Sequence, residues 1–121
     1  MNAGILTTAV TVALIVSACA ATPITDYQPI NTKEEYMAAV MGRTISLGNK
    51  SATTTHADGT MTGTAGGEEV IGTWSWEEGK FCREGTIGDE KLKRDCQKMA
   101  LAGDQLRITR GDGSIGLFKL E

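Results

Sequence analysis

Histidine is nearly missing from this chain: His56 is the only one among 121 residues. One imidazole cannot build a histidine metal site, and no motif sets a serine or an unpaired cysteine beside it for nucleophilic catalysis. Cys82 and Cys96 match no zinc spacing, and Asp58-Gly59 and Asp112-Gly113 lack the alternating oxygen ligands of a calcium loop. Neither metal nor cofactor is expected, and no enzyme. Positive charge is also short, with 12 Lys and Arg against 15 Asp and Glu and a net charge of −3. Its densest run, Lys91, Lys93, Arg94 and Lys98, is interleaved with Asp89, Glu90 and Asp95, a mixed solvated segment rather than a nucleic-acid footprint.

Long hydrophobic runs are absent too. The longest, Ile5 to Val16 (ILTTAVTVALIV), has 12 residues, too few to cross a bilayer core of about 30 Å as a helix. It fits the apolar region of a signal peptide. Val16-Ser17-Ala18-Cys19 follows and resembles the bacterial lipoprotein signal, in which small residues precede a cysteine that is acylated and becomes the mature N-terminus. The opening MNAG carries no Lys or Arg, which departs from that pattern. Ordinary secretory cleavage after Ala20 and an uncleaved anchor are the alternatives, and all three export the domain. The expected organisation is a signal peptide over 1–18, a tether over 19–31 holding both prolines, with Cys19 as the lipidation site, and a folded domain over 32–121. Ala20 after the lipid cysteine fits anchoring to the outer membrane, facing the periplasm.

With Cys19 removed or lipidated, an exported domain keeps one cysteine pair, and Cys82 and Cys96 are expected to form a disulfide. Closing a loop of about 15 residues contributes about 3 kcal/mol in the chain-entropy model.

The domain opens with its only helix signal. Thr32 with Glu35 matches a capping box, Tyr36, Met37, Val40 and Met41 form an apolar stripe, and Gly42 supplies a stop. From Arg43 onward, glycine-containing turns cut the chain into eight segments: 43–47, 51–56, 60–65, 69–76, 81–87, 94–101, 105–109 and 115–120. That rhythm predicts an all-β fold, an eight-stranded antiparallel up-and-down barrel of calycin-like form with one N-terminal helix; a sandwich is the alternative. An eight-stranded barrel with strands this short is expected to be filled by its own side chains.

Aromatic residues number six, and GTWSWEEGKFCR holds three of them. The pleat points Val70, Gly72, Trp74 and Trp76 to one face, so both indoles look the same way, as core or as a ligand platform. Trp74, Trp76, Phe81 and Arg83 are therefore candidate binding residues. GDGSIG, Gly111 to Gly116, matches a dinucleotide fingerprint letter for letter, but only LFKLE follows, without the helix that would hold a pyrophosphate. It reads as a hairpin turn, as does the overlapping Arg110-Gly111-Asp112, and no nucleotide is expected.

GTWSWEEGKFCR, then Asp95-Cys96-Gln97, GDQLRITR and a glycine-rich turn resemble a group of small exported proteins from alphaproteobacteria over about residues 32 to 121. Some of these carry the label dihydrodipicolinate reductase, which implies a cytoplasmic two-domain enzyme using a nicotinamide cofactor. An exported chain with no usable nucleotide fingerprint does not fit that label, and it is set aside. A looser likeness is to envelope lipoproteins that inhibit lysozyme, which also join a lipoprotein signal to a small disulfide-bonded barrel. The function expected is a non-enzymatic envelope lipoprotein that binds a partner protein or a small ligand. The alternative is an inhibitor of a cell-wall-degrading enzyme, with Gly88 to Lys93 as the inserted loop.

Overall fold

The computed structural model describes residues 26–48 and 50–121, together with Gly4. The expected signal peptide over 1–18 (Gly4 apart), the lipidation site Cys19 and the tether as far as residue 25 lie outside the described residues.

Nine strands and one helix follow in chain order: β1 (Gln28–Ile30), α1 (Lys33–Ala39), β2 (Thr44–Ser46), β3 (Ala52–Thr55), β4 (Thr60–Ala65), β5 (Glu68–Glu77), β6 (Lys80–Ile87), β7 (Glu90–Ala102), β8 (Gln105–Thr109) and β9 (Ile115–Leu120). From β2 to β9 each strand pairs antiparallel with the next. β2 then closes onto β9 through Ile45↔Leu120 and Ser46↔Lys119. The ring is an eight-stranded barrel, and closure decides against the sandwich, because no edge is left over for a second sheet.

Turn chemistry sets the register. At the β5–β6 hairpin, Glu77 opposes Lys80, and the two residues between them, Glu78 and Gly79, have φ of 51° and 77°. Positive φ at both positions is the type I′ turn, whose twist matches that of the strands it joins. Farther up the same pair, Gly72 lies opposite Gly85. A Cβ on Gly85 would strike the carbonyl of Ile71, and one on Gly72 the carbonyl of Glu84. Two bare backbones pressed this closely let the sheet bend tightly enough to close.

The helix forms as its cap signature predicts: Thr32 Oγ1 accepts from the Glu35 amide at 3.2 Å, and the Glu35 carboxylate accepts from the Asn31 amide at 3.4 Å. Tyr36 and Val40 are fully buried, whereas Met37 is exposed, so the stripe that enters the barrel is narrower than the sequence pattern. Around the Tyr36 ring stand Trp74, Trp76 and Phe81, with centroid distances of 5.1, 5.4 and 5.2 Å. The Tyr36 hydroxyl shares a hydrogen bond of 2.7 Å with Thr55, itself buried. The helix is thus a plug at the barrel end that carries the β3–β4, β5–β6 and β7–β8 turns.

Two segments depart from expectation. Gln28–Ile30, assigned to the tether, is strand β1, paired with Met99 to Leu101 beyond the point where β6 leaves β7. Ile30 is buried, and Tyr27 lies under Arg107 and donates to Gln105 Oε1 at 2.7 Å. An aromatic and an aliphatic anchor three residues apart turn the end of the tether into part of the domain. Second, Gly88 to Lys93 is no free loop: the turn is Gly88-Asp89 alone, and β7 begins at Glu90.

Burial pushes the Tyr36 phenol up to about 12, outweighing the opposing hydrogen bond from Thr55. The folded state therefore favours the neutral phenol; this stability is fully present below about pH 10, the unfolded value, and is lost as pH rises toward the folded one. Between about pH 9 and pH 11.5, the wild type should lose about 2 kcal/mol more stability than Tyr36→Phe, measured by urea melts across pH. Equal slopes for the two proteins would remove the plug tyrosine from this role. Reduction, or Cys82→Ser, should lower stability by about 2 to 5 kcal/mol, visible as a Tm lower by about 10 °C or more.

Candidate functional site

Opposite the plug, the barrel is open. A largely apolar cavity of about 190 Å³ enters from this end, with Val70, Ile87, Leu92, Met99 and Phe118 among its walls and Arg83, Arg110, Gln97, Thr53 and Thr55 as its polar residues. The residues expected to fill it are too small: Thr53, Thr55 and Ala65 face this space where a packed barrel would carry Leu or Ile. The interior is therefore filled at the plugged end by four aromatic rings and left partly hollow at the other.

Strand alternation places each polar residue. On β6, Phe81, Arg83 and Ile87 fall in phase toward the interior, and on β8 the inward phase of Leu106 and Ile108 continues to Arg110, just past the strand end. β7 is interrupted by a bulge: Arg83 opposes Asp95 and Gly85 opposes Leu92, so Lys93 and Arg94 together face Glu84 alone. The extra residue allows both Leu92 and Asp95 to reach the inner side. It also leaves the Lys93 carbonyl out of the ladder, where Arg83 Nη1 donates to it at 2.6 Å.

Asp95 lies opposite Arg83 on the neighbouring strand, yet its hydrogen bonds go elsewhere. Its Oδ1 accepts from the Gly111 amide at 3.0 Å, pinning the β8–β9 turn to β7, and its Oδ2 accepts from Gln97 Nε2 at 2.8 Å. Asp112, also at the rim, accepts from the Ser114 amide at 2.9 Å inside its own turn, and the hydrogen bonds from Ser114 hold its carboxyl below the usual range. Among the described residues the one ion pair is Arg94 with Glu77, on the outer face. Arg83 and Arg110 have none. Burial lowers the Arg83 guanidinium from its ordinary value, Asp95 opposes that shift and the charge of Arg110 adds to it; it stays protonated, as arginine does.

The four residues singled out in GTWSWEEGKFCR separate. Trp74 and Phe81 are buried and Trp76 is half-buried, all three packed on Tyr36 as core. Trp74 donates from Nε1 to the His56 carbonyl at 2.8 Å, while the Trp76 N–H is enclosed without a partner. Phe81 also forms part of the cavity wall, and Arg83 lines the cavity. Gln97 and Arg110 escaped the sequence reading, Arg110 because it was absorbed into a turn motif. Carrying the β8 alternation one step past Ile108 would have found it.

Elsewhere the chemistry is sparse. Cys82 and Cys96 oppose each other directly and are disulfide-bonded, with Cα atoms 4.0 Å apart. A Glu77 oxygen and the two sulfurs lie within 4.8 Å of one another, but sulfurs joined to each other are not thiolate ligands, and that carboxylate is paired with Arg94. His56 bonds Thr62 Oγ1 at 2.8 Å beside the β3–β4 turn, at the opposite end from the cavity mouth. Gly111 to Gly116 connect β8 to β9, so no helix N-terminus follows the fingerprint-like run. Comparison of the chain with protein-family models, with curated proteins and with solved structures finds no match.

Proposed function

We propose that this protein is a non-enzymatic lipoprotein of the bacterial envelope whose barrel takes up a small ligand through its open end. The observation that carries the ligand reading is the half-hollow interior: an apolar cavity that opens at one end and carries two arginines without ion-pair partners. Apolar walls with a few convergent polar groups are the usual composition of a small-molecule site. The small walls Thr53, Thr55 and Ala65 favour this over a barrel that is only a packed scaffold.

The envelope reading rests on Val16-Ser17-Ala18-Cys19 and on the disulfide, which suits an oxidising compartment. Chain direction adds a geometric consequence. β1 pairs with the end of β7 near the plug, so Asp26, where the continuously described chain begins, lies two residues from that pairing.

Native mass spectrometry on full-length protein extracted from its own membranes tests both halves. The expected result is an acylated Cys19, an intact disulfide and a small companion mass released on activation. A protein without any companion, and whose melting no compound in a broad metabolite set raises, would overturn the ligand reading. Cys19→Ser should move the protein from the membrane to the soluble fraction, and an unchanged distribution would sink the anchor. His56→Ala should leave ligand binding intact; turnover of any substrate by the wild type, lost in this variant, would make the protein an enzyme.

A further inference from the structure

We infer that the ligand is a small amphipathic anion, a single-chain carboxylate of medium length, with its head between Arg83 and Arg110 and its tail in the barrel; this rests on the small-ligand reading above.

The head is argued from donors that the protein leaves unused. A guanidinium offers five N–H groups. Arg83 spends one on the Lys93 carbonyl, and Arg110 makes one long contact, 3.4 Å, to Ser114 Oγ. Their neighbouring carboxylates are taken up by Gly111, Gln97 and Ser114. Each guanidinium feels one carboxylate, Asp95 for Arg83 and Asp112 for Arg110, but neither is in direct ion contact with it, so half-buried N–H donors beside apolar walls are left for an anion bridging the two arginines to accept from. One groove at the rim is lined by Arg83, Lys93, Arg94 and Arg110 against Asp95 and Asp112, with Arg94 already paired to Glu77.

The tail is argued from volume and chemistry. A cavity of about 190 Å³ corresponds to roughly six waters of liquid, at about 30 Å³ each. That suits an unbranched apolar body of about six to eight carbons and is below the range of drug-sized pockets. Gln97, buried and held by Asp95, is the one amide in this space. A polyhydroxylated or multiply charged ligand would find too few partners among the aliphatic walls.

The test is calorimetric titration of the full-length protein with octanoate, octanol and acetate. Octanoate should bind at least tenfold more tightly than octanol, the expected worth of charge-assisted hydrogen bonds from two arginines, and acetate should show no saturable binding. Arg110→Gln should weaken octanoate at least fivefold and leave octanol unchanged. Arg83→Gln should do the same; because it also frees the Lys93 carbonyl, its fold is checked by circular dichroism, and the wild-type comparison stands without it. Ile87→Trp, which fills the cavity, should abolish binding of both. Octanoate and octanol binding equally would overturn anion recognition and leave the small-ligand reading in place. No binding by either, with other compounds still bound and displaced by Ile87→Trp, would overturn the amphiphile alone. No binding of any compound would end both readings.

Discussion

The burial of one tyrosine organises this molecule. Tyr36 enters the barrel from a seven-residue helix, far too short to be stable by itself, since helix nucleation alone costs more than two turns return. What holds it is the ring cage of Trp74, Trp76 and Phe81 and the hydroxyl bond to Thr55. In return, those three aromatics find a packing partner that a barrel of short strands could not provide from its own wall. Four of the chain's six aromatic residues, both tryptophans among them, are drawn to one end. The other end stays hollow because little is left to fill it.

The same asymmetry explains the bulge and the arginines. Where β6 and β7 approach the open end, one extra residue in β7 breaks the ladder and exposes the Lys93 carbonyl. Arg83 satisfies it, which fixes the guanidinium near the mouth instead of letting it extend into solvent. Asp95, opposite Arg83, directs its hydrogen bonds elsewhere: it staples the β8–β9 turn through Gly111 and orients Gln97. A carboxylate whose hydrogen bonds go to neutral donors compensates Arg83 only through space, so the guanidinium donors stay free for another acceptor.

Much of the fold was legible in residues. Thr32 and Glu35 marked the helix start, the glycine turns marked each hairpin, and the single cysteine pair left in an exported domain announced a bond between Cys82 and Cys96. The interior phase of Trp74 and Trp76 was readable from alternation. β1 was not: Gln28-Pro29-Ile30 lacks any strand pattern and pairs only because β7 outruns β6 and offers a free edge at Met99 to Leu101. The length of β7 was missed for a related reason, since Lys91, Lys93 and Arg94 are charged residues on a long hairpin arm and look, in sequence, like a solvated loop. Of the site, Arg83 was picked out beside the tryptophans, while Arg110 and Gln97 lie 27 and 14 positions farther on.

Local chemistry in the chain determined the all-β rhythm, the helix cap and the turn positions, because each depends on residues within a few positions of one another, and the cysteine count determined the disulfide. Barrel closure, the division of the interior into a filled and a hollow end, and the pairing of Arg83 with Arg110 were decided only by tertiary structure. These depend on which strands become neighbours when β2 meets β9 and on how much side-chain volume reaches each end. Volume and proximity are properties of the closed ring, and no local pattern encodes them.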